Sequence, residues 1–357
     1  MTLHENGPAP RFGVWAPVYG TWGARTHPDD PVDAGYARTR ALLRELEQAG
    51  FDSVLLAEHI VNPQSEQFDV LETWTAAAAI AEATERIEII AAVKPLLFHP
   101  GVLAKLAIGI DHVSGGRFAV NLVSAWFKPE MARLGIEMPP HDERYAYSEE
   151  WLALVKALWR GERVSAIGER FPLEDLELRP GPVRPGGPTV YFGGESEPAR
   201  ALAAKDADVF FINGRPLEDT AALIEDLRRR ERPAGAAPLR FGLAAFVIAR
   251  PDEDEAQAEL AHLIELSARD DRSSVVNGTD KDVAMMKVGA GKPKVGTNGG
   301  TLAGLVGSYD QVAERIAAFH AAGIELLMLQ FQPLEAEARR FAAEVIPRVR
   351  ALSLSPA

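Results

Sequence analysis

Four short polar stretches in this chain sit where a ligand could be met, and each has two chemical readings. Ala57-Glu58-His59 ends an apolar run that begins at Ser53. A Glu–His pair at a strand end can do acid–base work or orient a ligand, or it can be a hydrogen-bonded structural pair. Asn121 interrupts the apolar run Phe118–Val123, and a buried amide must be satisfied by a cofactor or by neighbouring backbone. His141-Asp142-Glu143-Arg144-Tyr145 opens an amphipathic segment. Arg144 in a first helical turn opposes the helix dipole, which a bound anion would rationalise, as would pairing with Glu143 or Glu149. Gly193-Gly194-Glu195-Ser196-Glu197-Pro198 reads as a close backbone approach followed by a capped helix start. It is either an ordinary strand–turn–helix junction or a phosphate site.

Other chemistries are not signalled. The chain has no cysteine, so disulfides, thiolate metal sites and cysteine nucleophiles are excluded. Its eight histidines show no HxH or HExxH spacing, so no metal site is expected. There is no GxSxG. His99, in LLFHP, follows the run Ile87–Val93 and is either a site residue or a loop histidine.

The elements that must hold these residues alternate strictly. Eight short apolar runs, at Phe12–Ala16, Ser53–Ala57, Ile87–Val93, Phe118–Val123, Thr189–Phe192, Val209–Ile212, Phe241–Ile248 and Glu325–Leu329, read as strands buried on both faces. Helical segments are expected at Tyr36–Gln48, Asp69–Thr84, Gly101–Val113, Glu143–Trp159, Glu197–Lys205, Leu217–Arg230, Tyr309–Ala322 and Glu335–Val349. Gly50 and Gly323 stand where a C-terminal cap glycine belongs. The pattern predicts an α/β fold, a (β/α)8 TIM barrel in one domain over residues 1–357, with its site at the C-terminal strand ends. The doubly wound alternative lacks its fingerprint, since Val18–Gly23 is not GxGxxG.

Two segments exceed what the barrel needs. Residues 161–188 read as a hairpin-like insertion, and residues 252–300 as a longer insertion opening with a helix at Glu253–Ala268 and continuing as a mobile lid. The second carries Arg269, Arg272, Lys281, Lys287, Lys292 and Lys294, which either clamp an anion or decorate a solvated loop.

The 357 residues are 47% hydrophobic, enough for a large core. A net charge of −13 disfavours nucleic acid and anionic membranes as partners. No apolar run approaches the ~18 residues of a membrane span. The start, MTLHENGPAP, has no export signal, so a cytoplasmic location is expected.

Taken together, GFDSVLLAEH, IDHVSGGRFAVNLVSAW, HDERYAYSEEW, PTVYFGGESEPARALAAKDADVFF and GLVGSYDQVAERIAAFHAAGIELLMLQF resemble the bacterial luciferase-like flavin-dependent monooxygenases. They look most like the branch of alkanesulfonate, dimethylsulfone and pyrimidine monooxygenases. The resemblance runs over nearly the whole chain and implies the same barrel. It implies reduced FMN supplied by a separate NAD(P)H-dependent flavin reductase, O2 as co-substrate, and a homodimer or homotetramer. Ala57, Glu58, Asn121, Glu130, Arg144, Tyr145, Gly194 and Ser196 would hold the cofactor. Asn121, His59 and Trp126 would form the catalytic set. Trp15, His99, Phe246, Asn298 and Phe331 would line the substrate pocket.

Departures from the branch divide the substrate reading. Ala244 and Phe246 stand where alkanesulfonate enzymes have Arg and His, Asn298 where they have Arg, and Phe331 and Pro333 where they have Tyr and His. Ala92 replaces a Thr of the pyrimidine enzymes that is proposed to hold oxygen, whereas the insertion text leans toward those enzymes. The leading expectation is oxidation of a small sulfone or sulfonate with C–S cleavage. The alternatives are oxidative opening of a cyclic amide such as a pyrimidine, an F420-dependent oxidoreductase, and a non-catalytic flavin-binding barrel.

Overall fold

Every barrel strand is apolar on both faces because one face fills the barrel and the other meets helices. In the computed structural model, which describes residues 9–20, 23–166, 170–282 and 293–354, eight such strands close into a parallel barrel. They are β1 (Arg11–Trp15), β2 (Ser53–Leu56), β3 (Glu88–Val93), β4 (Phe118–Leu122), β5 (Thr189–Gly193), β6 (Val209–Ile212), β7 (Arg240–Phe246) and β8 (Ile324–Gln330). Each pairs with the next in sequence, and β8 returns to β1. The eight surrounding helices are α1 (Tyr36–Ala49), α2 (Thr73–Ala83), α3 (Pro100–Ser114), α4 (His141–Trp159), α5 (Glu197–Asp206), α6 (Leu217–Arg228), α7 (Tyr309–Ala321) and α8, which runs over residues 334–354 with a π turn at Phe341–Val345.

The expected helix stops have their expected cause. Gly50 caps α1 in the left-handed region, at φ 102°, and Gly323 follows α7 at φ 116°. Two starts differ from expectation. Helix α2 begins at Thr73 rather than Asp69, because the Glu72 carboxylate accepts the amides of Trp74 at 2.8 Å and Thr75 at 2.6 Å. Helix α4 begins two residues early, at His141.

The seventh apolar run is not one strand. β7 ends at Phe246, Val247 donates to the Gln330 carbonyl at 3.0 Å, and Ile248–Arg250 leaves the barrel to pair with Val306–Ser308. That small ladder roots the long insertion. Its first helix, Glu253–Ser267, packs into a separate apolar cluster of Ala24, Phe246, Ile248, Ala256, Leu263, Leu266, Val295 and Val306, and a second short helix follows at Ser273–Gly278. The expected mobile lid falls partly on residues 283–292, outside the described residues. The hairpin-like insertion is an antiparallel pair, Val164–Ala166 with Leu173–Leu176.

The N-terminal end of the barrel is sealed. Tyr191 donates from inside the sheet to Glu88 at 2.8 Å, and Glu88 pairs with Arg11 at 2.6 Å. This leaves the C-terminal end as the open one.

Candidate active site

A cavity of about 380 Å³ opens at the C-terminal mouth, and all eight strands contribute to it. Trp15 comes from β1, Leu55 with Ala57, Glu58 and His59 from β2, Ala92 and Lys94 from β3, and Asn121 from β4. Gly193 and Gly194 come from β5, Ile212 and Asn213 from β6, Ala244 from β7 and Met328 from β8. Met328 reaches the floor because Gly13 has no side chain: a Cβ there would stand 2.5 Å from the Met328 Cε. Trp126, Val275, Val276, Arg272 and Lys294 close the upper wall.

Asn121 lies in register between Ala92 and Tyr191 and is 7% exposed, yet its amide oxygen has no hydrogen-bond partner. A buried amide without a partner carries a desolvation penalty that a ligand can remove. Thr297 repeats the pattern, with a buried hydroxyl that lines the cavity and finds no partner.

Beside it a second group forms around Gly194. A Cβ on Gly194 would lie 3.3 Å from the Tyr145 hydroxyl and 3.1 Å from the Ala199 Cβ, so glycine keeps a narrow backbone cradle open. Ser196 occupies the N-cap position of α5, but its side chain caps nothing and its buried hydroxyl has only the Tyr145 phenol nearby. Burial raises the Tyr145 phenol above its ordinary range, with Ser196 and Arg144 offsetting part of the shift, so it stays a neutral donor. A neutral phenol, a spare hydroxyl and a free helix start suit a phosphate, and with Asn121 and the apolar cavity they fit a flavin mononucleotide.

Beneath the β2–β3 edge lies a charged cluster that the sequence disclosed only in part. Lys94, 2% exposed, binds Glu130 through its ammonium, approaches His59 Nδ1 at 3.4 Å, and donates its backbone N–H to Glu58 at 2.5 Å. Glu130 also accepts the Ile60 amide at 2.7 Å and faces His59 at 3.4 Å. Burial pushes the Glu58 carboxyl up to about 8 and, with the Lys94 charge, pushes His59 down to about 4. Burial also works against the Glu130 carboxylate, but the His59 hydrogen bond and Lys94 hold it at about 2. At neutral pH the cluster therefore holds a protonated Glu58, a neutral His59 and one compensated ion pair.

The structure brings Trp15, Ala57, Glu58, His59, Asn121, Trp126, Gly194 and Asn298 onto the cavity wall. Tyr145 and Ser196 stand behind Gly194, and Glu130 stands behind Lys94 and His59. Arg144, the other residue expected at the phosphate, is engaged by the insertion. Buried to 3% exposure, it meets Asp280 of the insertion at 2.6 Å and donates to the Pro139 carbonyl at 2.9 Å, while its Nε has no partner.

Three expected pocket residues lie elsewhere. His99 is the N-cap of α3, accepting the Gly101 amide at 3.3 Å, and packs on Phe171. Phe246 is fully buried in the insertion's apolar cluster, behind Gly296. Phe331 packs outward against Phe51 and Phe341, because the residue after β8 faces the helices.

Lys94 was findable. It directly follows β3, the position that singled out Glu58 and His59 after β2. Asn213, directly after β6, obeys the same rule and is held by Glu195 through two bonds of 2.9 Å. Asn298 has a backbone reason as well as a position. At φ 50° it is left-handed, a conformation Asn tolerates better than Arg, and its carbonyl accepts the Gly214 amide at 2.8 Å.

Comparison with known proteins agrees with this geometry. The profile of the luciferase-like monooxygenase family matches residues 11–326. An FMNH2-dependent dimethylsulfone monooxygenase of Pseudomonas putida is 36% identical over 294 residues, covering 79% of each chain. A pyrimidine monooxygenase of Cronobacter turicensis is 30% identical over 362 residues, covering 95% of this chain and 92% of the relative. Among solved structures, a long-chain alkane monooxygenase superposes with a TM-score of 0.78 at 20% identity, covering 98% of this chain and 93% of the other, a likeness of fold.

Proposed function

The chain belongs to the luciferase-like monooxygenase family, and from that premise we propose that it is an FMNH2- and O2-dependent monooxygenase of a small organosulfur compound. The observation that carries the cofactor reading is the pairing of Asn121, whose buried amide oxygen lacks a partner, with the Gly194–Tyr145–Ser196 cradle beside it. Reduced FMN supplies the activation of oxygen. The protein holds, orients and dries the site. Asn121 would hold the ring edge, and Tyr145, Ser196 and the Gly194 backbone the phosphate. His59 and Trp126, whose rings meet edge-on at 5.6 Å, would wall the reacting centre. Glu58, protonated at neutral pH, is a proton donor on that wall.

For a sulfone or sulfonate the net change is oxygenation of a carbon next to sulfur. The C–S bond then breaks, giving a carbonyl product and a sulfinate or sulfite, with one water formed from the second oxygen atom and the two reducing equivalents. Ala92 favours this reading over the pyrimidine one, since a methyl group stands beside Asn121 in the register where a hydroxyl would be needed. Among the described residues, no helix is long and apolar enough to cross a membrane. A separate flavin reductase, a cytoplasmic location and assembly into dimers or tetramers belong to the same proposal.

The test is direct. Supplied with FMNH2 and O2, the enzyme is expected to release sulfite or sulfinate from a panel of sulfones and sulfonates. Product from uracil with none from any sulfur compound would transfer the assignment to ring opening. Tight FMNH2 binding with no oxygen-dependent product from any compound would leave only a flavin carrier.

A further inference from the structure

The loop after β5 carries one buried side chain that has no part in the phosphate cradle. Glu195 stands between Gly194 and Ser196 in sequence. Its carboxylate turns to the end of β6, where Oε1 accepts both the backbone N–H and the side-chain amide of Asn213, each at 2.9 Å. Its other oxygen pairs with Arg215, whose Nε donates to the Asn213 carbonyl at 3.1 Å. The Glu195 side chain is only 6% exposed. A buried ion pair is a weak source of stability, but it makes a rigid frame.

That frame decides which way the Asn213 amide faces. A carboxylate paired with Arg accepts and cannot donate, so the arm of Asn213 that it holds is the NH2. The other arm is the amide oxygen. Asn213 lines the cavity, and among the described residues nothing bonds that oxygen, which makes it a fixed acceptor on the wall. A donor adjoins it. Gly214 gives its N–H to the Asn298 carbonyl at 2.8 Å, so the β6 end runs beside residues 296–300. A Cβ on Gly214 would lie 3.0 Å from the Gly300 carbonyl oxygen, so glycine permits this approach. Thr297 is clamped by the Gln330 side chain at the end of β8, which accepts its amide at 2.9 Å and donates to its carbonyl at 3.2 Å. Thr297 is thus tied to the barrel and not to the insertion helices. Its hydroxyl lines the cavity, buried without a partner.

Resting on the flavin reading above, we propose that Asn213 and Thr297 form a subsite for the imide edge of the flavin ring. The Asn213 oxygen accepts the imide N–H, and the Thr297 hydroxyl donates to a flanking carbonyl oxygen. Glu195 is the positioning residue, because it denies Asn213 the opposite amide orientation. An imide offers N–H beside C=O, which is what a fixed acceptor and a neighbouring hydroxyl answer. Oxidised and reduced flavin both carry one, as does uracil, whereas a sulfone or sulfonate does not. The flavin is the occupant because Glu195 belongs to the loop of Gly194 and Ser196. One short loop therefore fixes both the phosphate cradle and the acceptor at the β6 end. Asn121, on β4, is left for a different edge of the ring.

The probes are reduced FMN and its N3-methyl derivative, which has no imide N–H. Both are titrated without oxygen into the flavin-free chain, followed by the fluorescence of the tryptophans that line the cavity. FMN should bind about tenfold tighter than the methylated flavin, the scale of one buried hydrogen bond. Asn213→Ala should weaken FMN by about that factor and bind the two flavins alike, a loss of discrimination that general loosening of the fold would not produce. Thr297→Val keeps the side-chain shape and should weaken both flavins, leaving their ratio intact. Glu195→Gln can donate as well as accept, so it frees the Asn213 amide to turn, and the ratio should fall toward one with Asn213 itself in place. Equal binding of the two flavins to the wild-type chain overturns the proposal, and that comparison needs no variant to fold. Uracil bound more tightly than 3-methyluracil, with the difference lost in Asn213→Ala while FMN is unaffected, also overturns it and gives the imide site to the substrate. The wider reading fails separately. No binding of either flavin sinks the cofactor reading and the subsite with it. A methylation-sensitive FMN site with no oxygen-dependent product from any compound keeps the subsite and sinks the enzyme assignment.

Discussion

Glu58 and Glu130 sit in one buried cluster, share Lys94, and are driven in opposite directions. Their pH signatures must therefore be opposite. Glu58 holds its proton up to about 8 in the folded state, against an ordinary 4.5. From pH 4.5 upward the unfolded chain gives up this proton and the folded chain does not, so the group costs stability that grows until about pH 8. Glu58→Gln keeps an acceptor for the Lys94 amide and cannot ionise. Its melting temperature should equal wild type below pH 4.5 and exceed it by a few degrees above pH 8. A constant offset across that range would mean the carboxyl is ionised in the fold. Glu130 is held at about 2, so it stabilises the fold above 4.5 and loses that effect as pH falls toward 2. Glu130→Gln leaves the Lys94 ammonium buried without its counter-charge and should cost about 3–5 kcal/mol at neutral pH. That deficit should shrink in acid, read by denaturant melts at pH 7 and pH 3. Asn121→Ala should lower turnover more than FMNH2 affinity, measured by stopped-flow and titration. An intact rate would remove its role at the reacting centre.

The elements show where the sequence was sufficient. The eight strands appear within a residue or two of their expected limits, because burial on both faces writes an unbroken apolar run. The breaks that were missed have side-chain or backbone causes outside such patterns. Glu72 caps α2 although Glu is not a preferred cap residue, and β7 is cut at Val247 by a bond to β8. The residues just past the strands were legible by position, as Glu58 and His59 show, and Asn121 as the one polar residue inside its apolar run. The insertion's contribution was not, since a polar Gly-rich stretch carries no period to say which side chains turn inward. Arg272 and Lys294 were visible as charges but not as cavity walls. Arg144 shows the same limit. Nothing in HDERY announces that Asp280, 136 residues later, takes its guanidinium at 2.6 Å while also facing Lys128 at 3.3 Å. The Asp280 amide binds the Trp126 carbonyl at 3.0 Å, and a Cβ on Gly278 would stand 2.3 Å from the Phe127 ring. These contacts dock the insertion on the Trp126–Phe127 segment. Asp280→Asn and Gly278→Ala should both loosen it. The Thr279 and Asp280 amides should then exchange with solvent about tenfold faster, at a cost of roughly 1.4 kcal/mol per tenfold. Unchanged exchange in both variants would show that docking depends on other contacts.

Across the whole molecule, stability is unevenly distributed, and the cavity lies on the boundary. A closed barrel has no free strand edge, so opening any strand breaks ladders on both of its sides. Its core runs continuously from Phe12 to Val349. The insertion depends on a cluster of eight fully buried side chains and on a two-stranded ladder of three residues per strand. Local opening free energy follows buried apolar area and contact density, so the insertion should open well below the global limit. Native-state hydrogen exchange in rising denaturant should resolve two units. Amides of Glu253–Ser267 and Ser273–Gly278 should exchange by an opening that exposes little surface, and those of β3, β4 and β5 only by global unfolding. Merged exchange curves would mean that barrel and insertion unfold together. The division matters for ligand entry. Asn121, Gly194 and Met328 belong to the stable unit, whereas Arg272, Val275, Val276 and Lys294 belong to the labile one. A ligand that touches both, saturating at about 100 times its Kd, adds about 2.7 kcal/mol to the folded state. That increment should appear in the exchange of the insertion helices as well as in that of the barrel strands, because either opening releases such a ligand, whereas a ligand held by the barrel alone raises only the barrel strands. FMN alone, held by the barrel end, should protect the insertion less than FMN together with a ligand that reaches Arg272. Equal protection by FMN alone would place the second contact outside the insertion.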